Sequence, residues 1–260
     1  MPILGLQQEK CTKCMQCVKE CPAFCFRYNQ KTRIIEFDNS NNSCILCGHC
    51  IACCPVEVIN YAGMEEPTKL TNSSEMPTYD QLHSMFRQKR SIRHYKPEAL
   101  SPEDLKKVTE AMKYGPTGSN IRDMKVTIIS DSVKIRELSK GVVETLLKSP
   151  DTSDNYRQLL KYKQSIGLDP IFFKAPHVVI ISSKVNYDIV NATIATTYGM
   201  LAAHSLQLGT CWIGLAYMAF LANQDLREKT AQIEGKIWNV FTLGIPDIKF
   251  YRSPPRPSIV

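Results

Sequence analysis

No stretch of the sequence approaches the roughly 18 to 20 consecutive apolar residues that a membrane span requires. Met1-Pro2-Ile3-Leu4-Gly5 lacks the charged start and long apolar run of a secretory signal peptide, so no membrane association and a cytoplasmic location are expected. The chain also lacks a concentrated basic stripe. Its formal charge is +7, but the lysines and arginines are scattered, with only short runs such as Arg87-Gln88-Lys89-Arg90. A nucleic-acid-binding face needs such a stripe, so no nucleic-acid partner is expected; an anionic redox partner suits the charge better. G-x-G-x-x-G is missing too, which argues against a Rossmann domain. Beyond residue 54 cysteine almost disappears, with Cys211 alone in the rest of the chain.

The first 54 residues hold the other ten of the eleven cysteines. That shift in composition marks a domain boundary near residue 62, and the 43% hydrophobic and 22% charged fractions are those of an ordinary globular protein. We therefore expect three parts: residues 1–62, a linker over 63–77 containing Pro67, Ser73, Ser74 and Pro77, and a second domain over 78–260. Without an export signal the thiols are expected to stay reduced and to serve as ligands or core residues, not as disulfides.

Cys11, Cys14, Cys17 and Cys21-Pro22 follow C-x2-C-x2-C-x3-C-P, and Cys44, Cys47, Cys50 and Cys54-Pro55 repeat it 33 residues later. Three thiolates at this spacing reach three corners of one cubane, while the fourth crosses to the other cluster. The spacing predicts one [4Fe–4S] cluster on Cys11, Cys14, Cys17 and Cys54, and a second on Cys44, Cys47, Cys50 and Cys21. Zinc also uses C-x2-C pairs, but its structural sites need two such pairs separated by a long gap, not two full runs with a Cys-Pro ending. Cys25 and Cys53 fall outside the pattern and read as small buried residues. His49, between Cys47 and Cys50, reads as a loop residue that can tune a cluster through a hydrogen bond. The segment resembles the bacterial two-cluster ferredoxins, built as pairs of small hairpins. A module this small has little room for a core, so it is expected to be unfolded without its clusters.

In the second domain a helix is expected from an N-cap at Thr78 or Asp80, with Leu82, Met85 and Phe86 on one face. Another starts at Ser101-Pro102-Glu103-Asp104, where a serine cap, a proline and acids fill the first turn, and runs to about Tyr114. The glycine-rich loop Gly115 to Asn120 leads to a strand over 124–129 and a helix over 131–148. Residues 151–167 are polar and mostly helical, and 177–182 form an apolar strand. From Asp188 to Leu208 the chain is alanine-rich and apolar nearly all round, which predicts a central buried helix. A short strand and turn at Thr210 to Gly214, a helix near 223–230 and a strand over 237–244 follow. Helices and strands without regular βαβ alternation give an α+β fold.

Arg90-Ser91-Ile92-Arg93, the loop Gly115 to Asn120, the apolar helix leading to Leu208-Gly209-Thr210-Cys211-Trp212-Ile213-Gly214, and Leu243-Gly244-Ile245-Pro246-Asp247 make residues 78–260 resemble the nitroreductase family of FMN-dependent oxidoreductases. The resemblance implies that Arg90, Ser91 and Arg93 hold the FMN phosphate and ribityl chain, and a guanidinium fork does match phosphate oxygens. Arg252 or Arg256 of the tail completes that clamp. Ser119 and Asn120 match the position that hydrogen-bonds the flavin, and Gly214 matches the place where a backbone N–H faces its ring, with Ile213 packing nearby. Many members carry an acid just before that glycine; here stand Trp212 and Ile213. Cys211 and His204 read as core residues. The resemblance also implies a homodimer, with helix 188–208 at its centre.

The expected chemistry is electron transfer from the clusters to FMN and then to a small organic acceptor: a nitro compound, a quinone or an activated double bond. Reduced ferredoxin or a similar low-potential donor would feed the clusters, and Tyr198, Tyr217 or solvent would supply protons. Two rival readings are a non-enzymatic iron–sulfur and flavin electron carrier, and an NAD(P)H-fed reductase with accessory clusters.

Overall fold

The computed structural model describes residues 3–63, 67–70, 73–184 and 189–258. Among these no helix is long and apolar enough to cross a membrane. Asp188 and part of the expected linker lie outside the described residues. The chain divides into two compact units, one of Met1–Met76 with Gly118–Ile121, the other of Pro77–Thr117 with Arg122–Val260.

In the first unit β1 (Ile3–Leu6) pairs antiparallel with β4 (Ile59–Tyr61), and β2 (Phe26–Asn29) with β3 (Ile34–Phe37). The turn of the second hairpin is tied by Asn29, whose Oδ1 accepts the N–H groups of Lys31 and Thr32. Two short helices, α1 (Gln16–Glu20) and α2 (His49–Ala52), stand within the two cysteine runs. The duplication extends to the backbone. Lys13 and Leu46, Met15 and Gly48, and Phe24 and Glu57 all take left-handed φ between 52° and 74°, each pair at the same 33-residue offset as the cysteines. The buried core is small: Ile3, Phe26, Ile35 and Ile59 with Cys17 and Cys50.

The second unit is built on a four-stranded antiparallel sheet of β5 (Lys125–Ile129), β6 (His177–Ser183), β7 (Gly209–Trp212) and β8 (Lys236–Gly244), in the order β5-β6-β8-β7. Helices α3 (Tyr79–Gln88), α4 (Pro102–Lys113), α5 (Ser132–Lys148), α6 (Asp154–Ser165), α7 (Ile189–Ser205) and α8 (Gly214–Ala222) surround it. Thr78 closes a capping box with Gln81, Ser101 accepts the Asp104 N–H at 3.1 Å, and Asp131 accepts those of Val133 and Lys134, so three helix starts are fixed by side chains. Val178 and Ile180 of β6 join a core with α5 and α8, while Val179 and Ile181 join another with α4 and α7. Burial on both faces explains why β6 reads as an unbroken apolar run. The result is the α+β class expected from the sequence.

Two elements differ from expectation. α7 is not buried all round: Ala192, Ala195, Gly199 and Ala203 are buried, but Val190 is 63% and Tyr198 42% exposed. The helix predicted near 223–230 is a short π-helical turn over Leu226–Thr230, and the full helix there is α8, just before it. α8 opens on Gly214 without a side-chain cap and is apolar on every side, so neither start signal nor periodicity announces it.

His177 is 1% exposed at the head of β6. Its Nε2 accepts the Leu100 N–H at 2.9 Å and its Nδ1 lies 2.7 Å from the Ser130 hydroxyl, a pattern only the neutral ring satisfies with Nδ1–H as donor. Burial lowers its pKa from the ordinary 6.5. The folded state therefore takes up this proton less readily than the unfolded chain; the stability is complete above about pH 6.5 and is lost as pH falls below it. Gln at 177 keeps an acceptor and a donor without the titration. Thermal melts between about pH 7.5 and pH 5.5 should show a smaller loss of Tm for His177→Gln than for the wild type, and equal losses would contradict this account.

Candidate functional site

The cysteine runs of the first unit fold so that Cys11, Cys14, Cys17 and Cys54 line one small cavity, walled by Leu6, Ile35, Val58 and Ile59. A cubane holds its four thiolates farther apart than a single ion does, and the four cysteines surround a space accordingly. No three His, Cys, Asp or Glu side chains among the described residues close on a point as ligands of one ion would. Burial, then the neighbouring thiols Cys53, Cys11 and Cys14, push Cys17 up to about 11. Cys50 is pushed up to about 12 by burial and by Cys47, Cys21 and Cys44, which places the second expected quartet together. Thiolates this crowded need a cationic core to be stable in that state, and iron supplies one. The sulfurs also receive backbone N–H bonds, from Lys13 to Cys11 at 3.4 Å and from Cys25 to Cys21 at 3.3 Å.

The cysteines outside the pattern have other surroundings. Cys25 is buried, with its thiol 3.4 Å from the Ser43 hydroxyl. Cys53 is only half-buried and donates to the Cys50 carbonyl at 3.7 Å, with the Cys14 and Cys17 thiols and the Glu20 carboxylate as neighbours. His49 turns its Nδ1 to the Glu20 carboxylate at 2.9 Å.

In the second unit the segment after α3 runs beside the sheet edge. Ser91 bridges Thr210 of β7, the Ile92 N–H donates to the Thr210 carbonyl at 3.0 Å, and Tyr95 bridges Pro246. This pairing fixes Arg90 at the wall of an open cleft of about 1090 Å³, which Lys249 and Arg252 of the tail, His204 of α7 and Asp80 of α3 also line. One guanidinium nitrogen of Arg90 donates to the Ser253 hydroxyl at 2.8 Å and to the Arg87 carbonyl, while its buried Nε has no partner. An orphaned buried N–H among cations fits an anionic group such as a phosphate. Behind it the Lys89 ammonium donates to the Arg90 carbonyl at 2.9 Å, and burial lowers its pKa to about 8. Burial, then Lys89 and Arg90, lower that of His204.

The other expected residues are dispersed. Arg93 lies over the Phe173 ring at 5.9 Å, and Arg256 does not line the cleft. Ser91 lies beside the Cys211 thiol, which is buried within β7 and donates to the Trp212 carbonyl at 3.6 Å. Ile213 is buried and Gly214 opens α8, with the Trp212 ring 2.9 Å from where a Gly214 Cβ would stand. Trp212 is held there by its indole N–H on the Asn239 Oδ1 at 2.6 Å. Ser119 and Asn120 sit in the segment that belongs to the first unit. His204, expected in the core, is only half-buried and lines the cleft, and Lys249 is a cleft residue for which the cations from Lys249 to Arg256 were the only sequence signal.

On the expected assignment of two cubanes, replacing Cys17 or Cys50 by serine should lower the bound iron by about half, because each removes a ligand from one of them, while Cys25→Ser should leave it unchanged. Iron assays on the purified variants check this, and full iron in Cys17→Ser would contradict the ligand assignment.

A nitroreductase family model matches residues 86–244, and a 4Fe-4S dicluster domain model matches residues 10–59. Among solved structures, a nitroreductase with bound FMN from Bacteroides fragilis NCTC 9343 is 20% identical, with 69% of this chain and 97% of that one covered at a TM-score of 0.59. A nitroreductase with bound FMN from Desulfitobacterium hafniense DCB-2 is 20% identical, covering 68% and 93% at 0.56. An FMN-dependent nitroreductase from Clostridium difficile R20291 is 20% identical, covering 70% and 99% at 0.56. No curated protein matches. At this identity the solved structures speak for the fold, while the family model spans more than half of the chain, including the sheet and the edge segment that carries Arg90. The protein thus belongs to the nitroreductase family, with a 4Fe-4S dicluster domain preceding the nitroreductase domain.

Proposed function

We propose that this protein is an FMN-dependent oxidoreductase in which two [4Fe–4S] clusters, held by residues 1–62, feed electrons to a flavin held by residues 78–260, and a small organic acceptor is reduced. Residues 63–77 are the link. Nitro compounds, quinones and activated alkenes are the acceptor classes, and reduced ferredoxin or a similar low-potential protein is the donor. The observation that carries the reading is the union in one chain of a dicluster domain and a nitroreductase domain whose cleft is lined by arginine and lysine. FMN, when bound, takes up electrons singly and delivers them as a pair, which joins a one-electron supply to a two-electron reduction.

The chain's own part is to bind and orient. Arg90 Nε and Arg252 take the phosphate, with Ser253 holding the Arg90 fork in place, so Arg252 is the tail arginine of the clamp and Arg256 is not. Ser91 serves by its backbone bridge to Thr210, which holds the edge segment beside Arg90, and Arg93, over the Phe173 ring, is left out of the clamp. Gly214 presents the leading amide of α8, which has no partner inside the helix, to the flavin ring, and Ile213, whose own N–H donates to the Val240 carbonyl at 2.8 Å, packs nearby. The exposed faces of α7 and α3, with Val190, Tyr198, Leu82 and Phe86, are covered in a homodimer, as the exposure of so many large apolar side chains favours. We place the protein in the cytoplasm, where its thiols stay reduced.

Anaerobic dithionite titration followed by absorbance, with iron and flavin assayed on the same sample, is the test. About eight irons and one FMN per chain are expected, and a nitroaromatic should then reoxidise flavin and clusters together. Clusters without flavin would overturn the enzyme reading. Reoxidation only by a partner protein would favour the electron-carrier reading, and faster reduction by NAD(P)H than by ferredoxin would favour the accessory-cluster reading. Arg90→Met should weaken FMN binding at least about tenfold, read by flavin retention on dilution, because a charge-assisted phosphate contact contributes on the order of 1.5–3 kcal/mol.

A further inference from the structure

Asn120 lies in Gly118–Ile121, the short segment from far along the chain that belongs to the first compact unit. Its side-chain Nδ2 donates to the carbonyls of Ile45 and of Leu46, each at 2.9 Å. Those two residues are the whole of the loop between Cys44 and Cys47. The loop is otherwise held at its start by Asn39, whose Oδ1 accepts the Cys44 N–H at 2.8 Å, and at its end by Gly48, in the left-handed region at φ 74° ahead of α2. Leu46 is itself left-handed at φ 57°, a conformation that a leucine keeps only where its surroundings impose it.

We propose that Asn120 is a positioning residue for the second cluster. The proposal rests on the reading that Cys44, Cys47, Cys50 and Cys21 hold that cluster, and it assigns Asn120 a role different from the flavin hydrogen bond that the family resemblance implies. One amide group draws two successive carbonyls to the same side of the loop. With its carbonyls held outward, the loop keeps its N–H groups free to turn toward the thiolates and sulfides, in the manner of a backbone anion nest. Such donors stabilise the more negative, reduced state of a cluster and so raise its potential. Asn also suits its own position: Ser119 and Asn120 are consecutive left-handed residues, at φ 51° and 54°, and asparagine tolerates that region better than other side chains except glycine. Both bonds are made to the second ligand loop, so the effect falls on that cluster of the two.

Asn120→Asp preserves shape and backbone preference but turns the donors into acceptors facing two carbonyls, and adds a negative charge. Asn120→Gly removes the side chain and leaves the left-handed backbone unstrained. Both are made in the full-length holoprotein and followed by EPR-monitored redox titration and iron assay, with each cluster's signal identified by its loss in Cys17→Ser or Cys50→Ser. The second cluster should titrate at a lower potential in Asn120→Asp, and at a lower potential or with selective loss of its iron in Asn120→Gly, while the first cluster is unmoved. Unchanged potentials and full iron in both variants would overturn the proposal, and so would equal loss of both clusters, which marks general destabilisation. A wild-type protein without two clusters would instead sink the reading on which the proposal stands.

Discussion

Burial of β6 and β8 on both faces is the constraint from which the second unit follows. A strand with apolar side chains above and below must be covered twice, so α4 and α7 pack on one side and α5 and α8 on the other. Two covered central strands leave β5 and β7 as edges. The edge at β7 is closed by the segment from Ser91 to Lys96, whose backbone bonds to Thr210, Ile245 and Asp247 fix the chain directly after Arg90. The cationic cleft is therefore a by-product of how the sheet edge is sealed. Close approach of α7 to α4 depends on small residues in turn. At Gly199 a Cβ would stand 2.6 Å from the Met112 side chain.

The first unit obeys a different rule. It has two two-stranded sheets and a handful of buried apolar residues, too few to hold a chain of this length. What it has instead is a set of thiols whose burial, and then whose proximity to one another, disfavours the thiolate form, as the upward shifts of Cys17 and Cys50 reflect. The interaction that removes this conflict is ligation, so folding and cluster assembly are one process.

The fold class was legible because its signals are local: caps at Thr78 and Ser101, and the apolar run of β6, need no knowledge of the rest of the chain. The paired cysteine runs are stronger still, since spacing alone distinguishes them. Legibility failed where the answer depends on a partner surface. α7 reads as apolar all round, but whether its Val190 and Tyr198 side is covered is decided by quaternary structure, not by periodicity. α8 failed for another reason, having neither cap nor polar face. In the candidate site, Arg90 and Arg93 look alike in sequence, yet the edge pairing turns the first into the cleft and leaves the second over Phe173. No local pattern announces that Asn120 bonds to a loop more than seventy residues earlier.

The interlocked ligand pattern has a bearing on how the protein is made. On the proposed assignment neither half of the duplication can complete a cluster by itself, because Cys21 serves the second and Cys54 the first. Synthesis proceeds from the N-terminus, at about 5–20 residues per second. Once Cys50 has emerged from the ribosome the nascent chain carries all four ligands of the second cubane, but only three of the first until Cys54 follows. The second ligand set is therefore complete before the first, which waits for the last cysteine of the module. The segment carrying Asn120 is made later again, so the second ligand loop receives its last support only when the nitroreductase domain is already under construction.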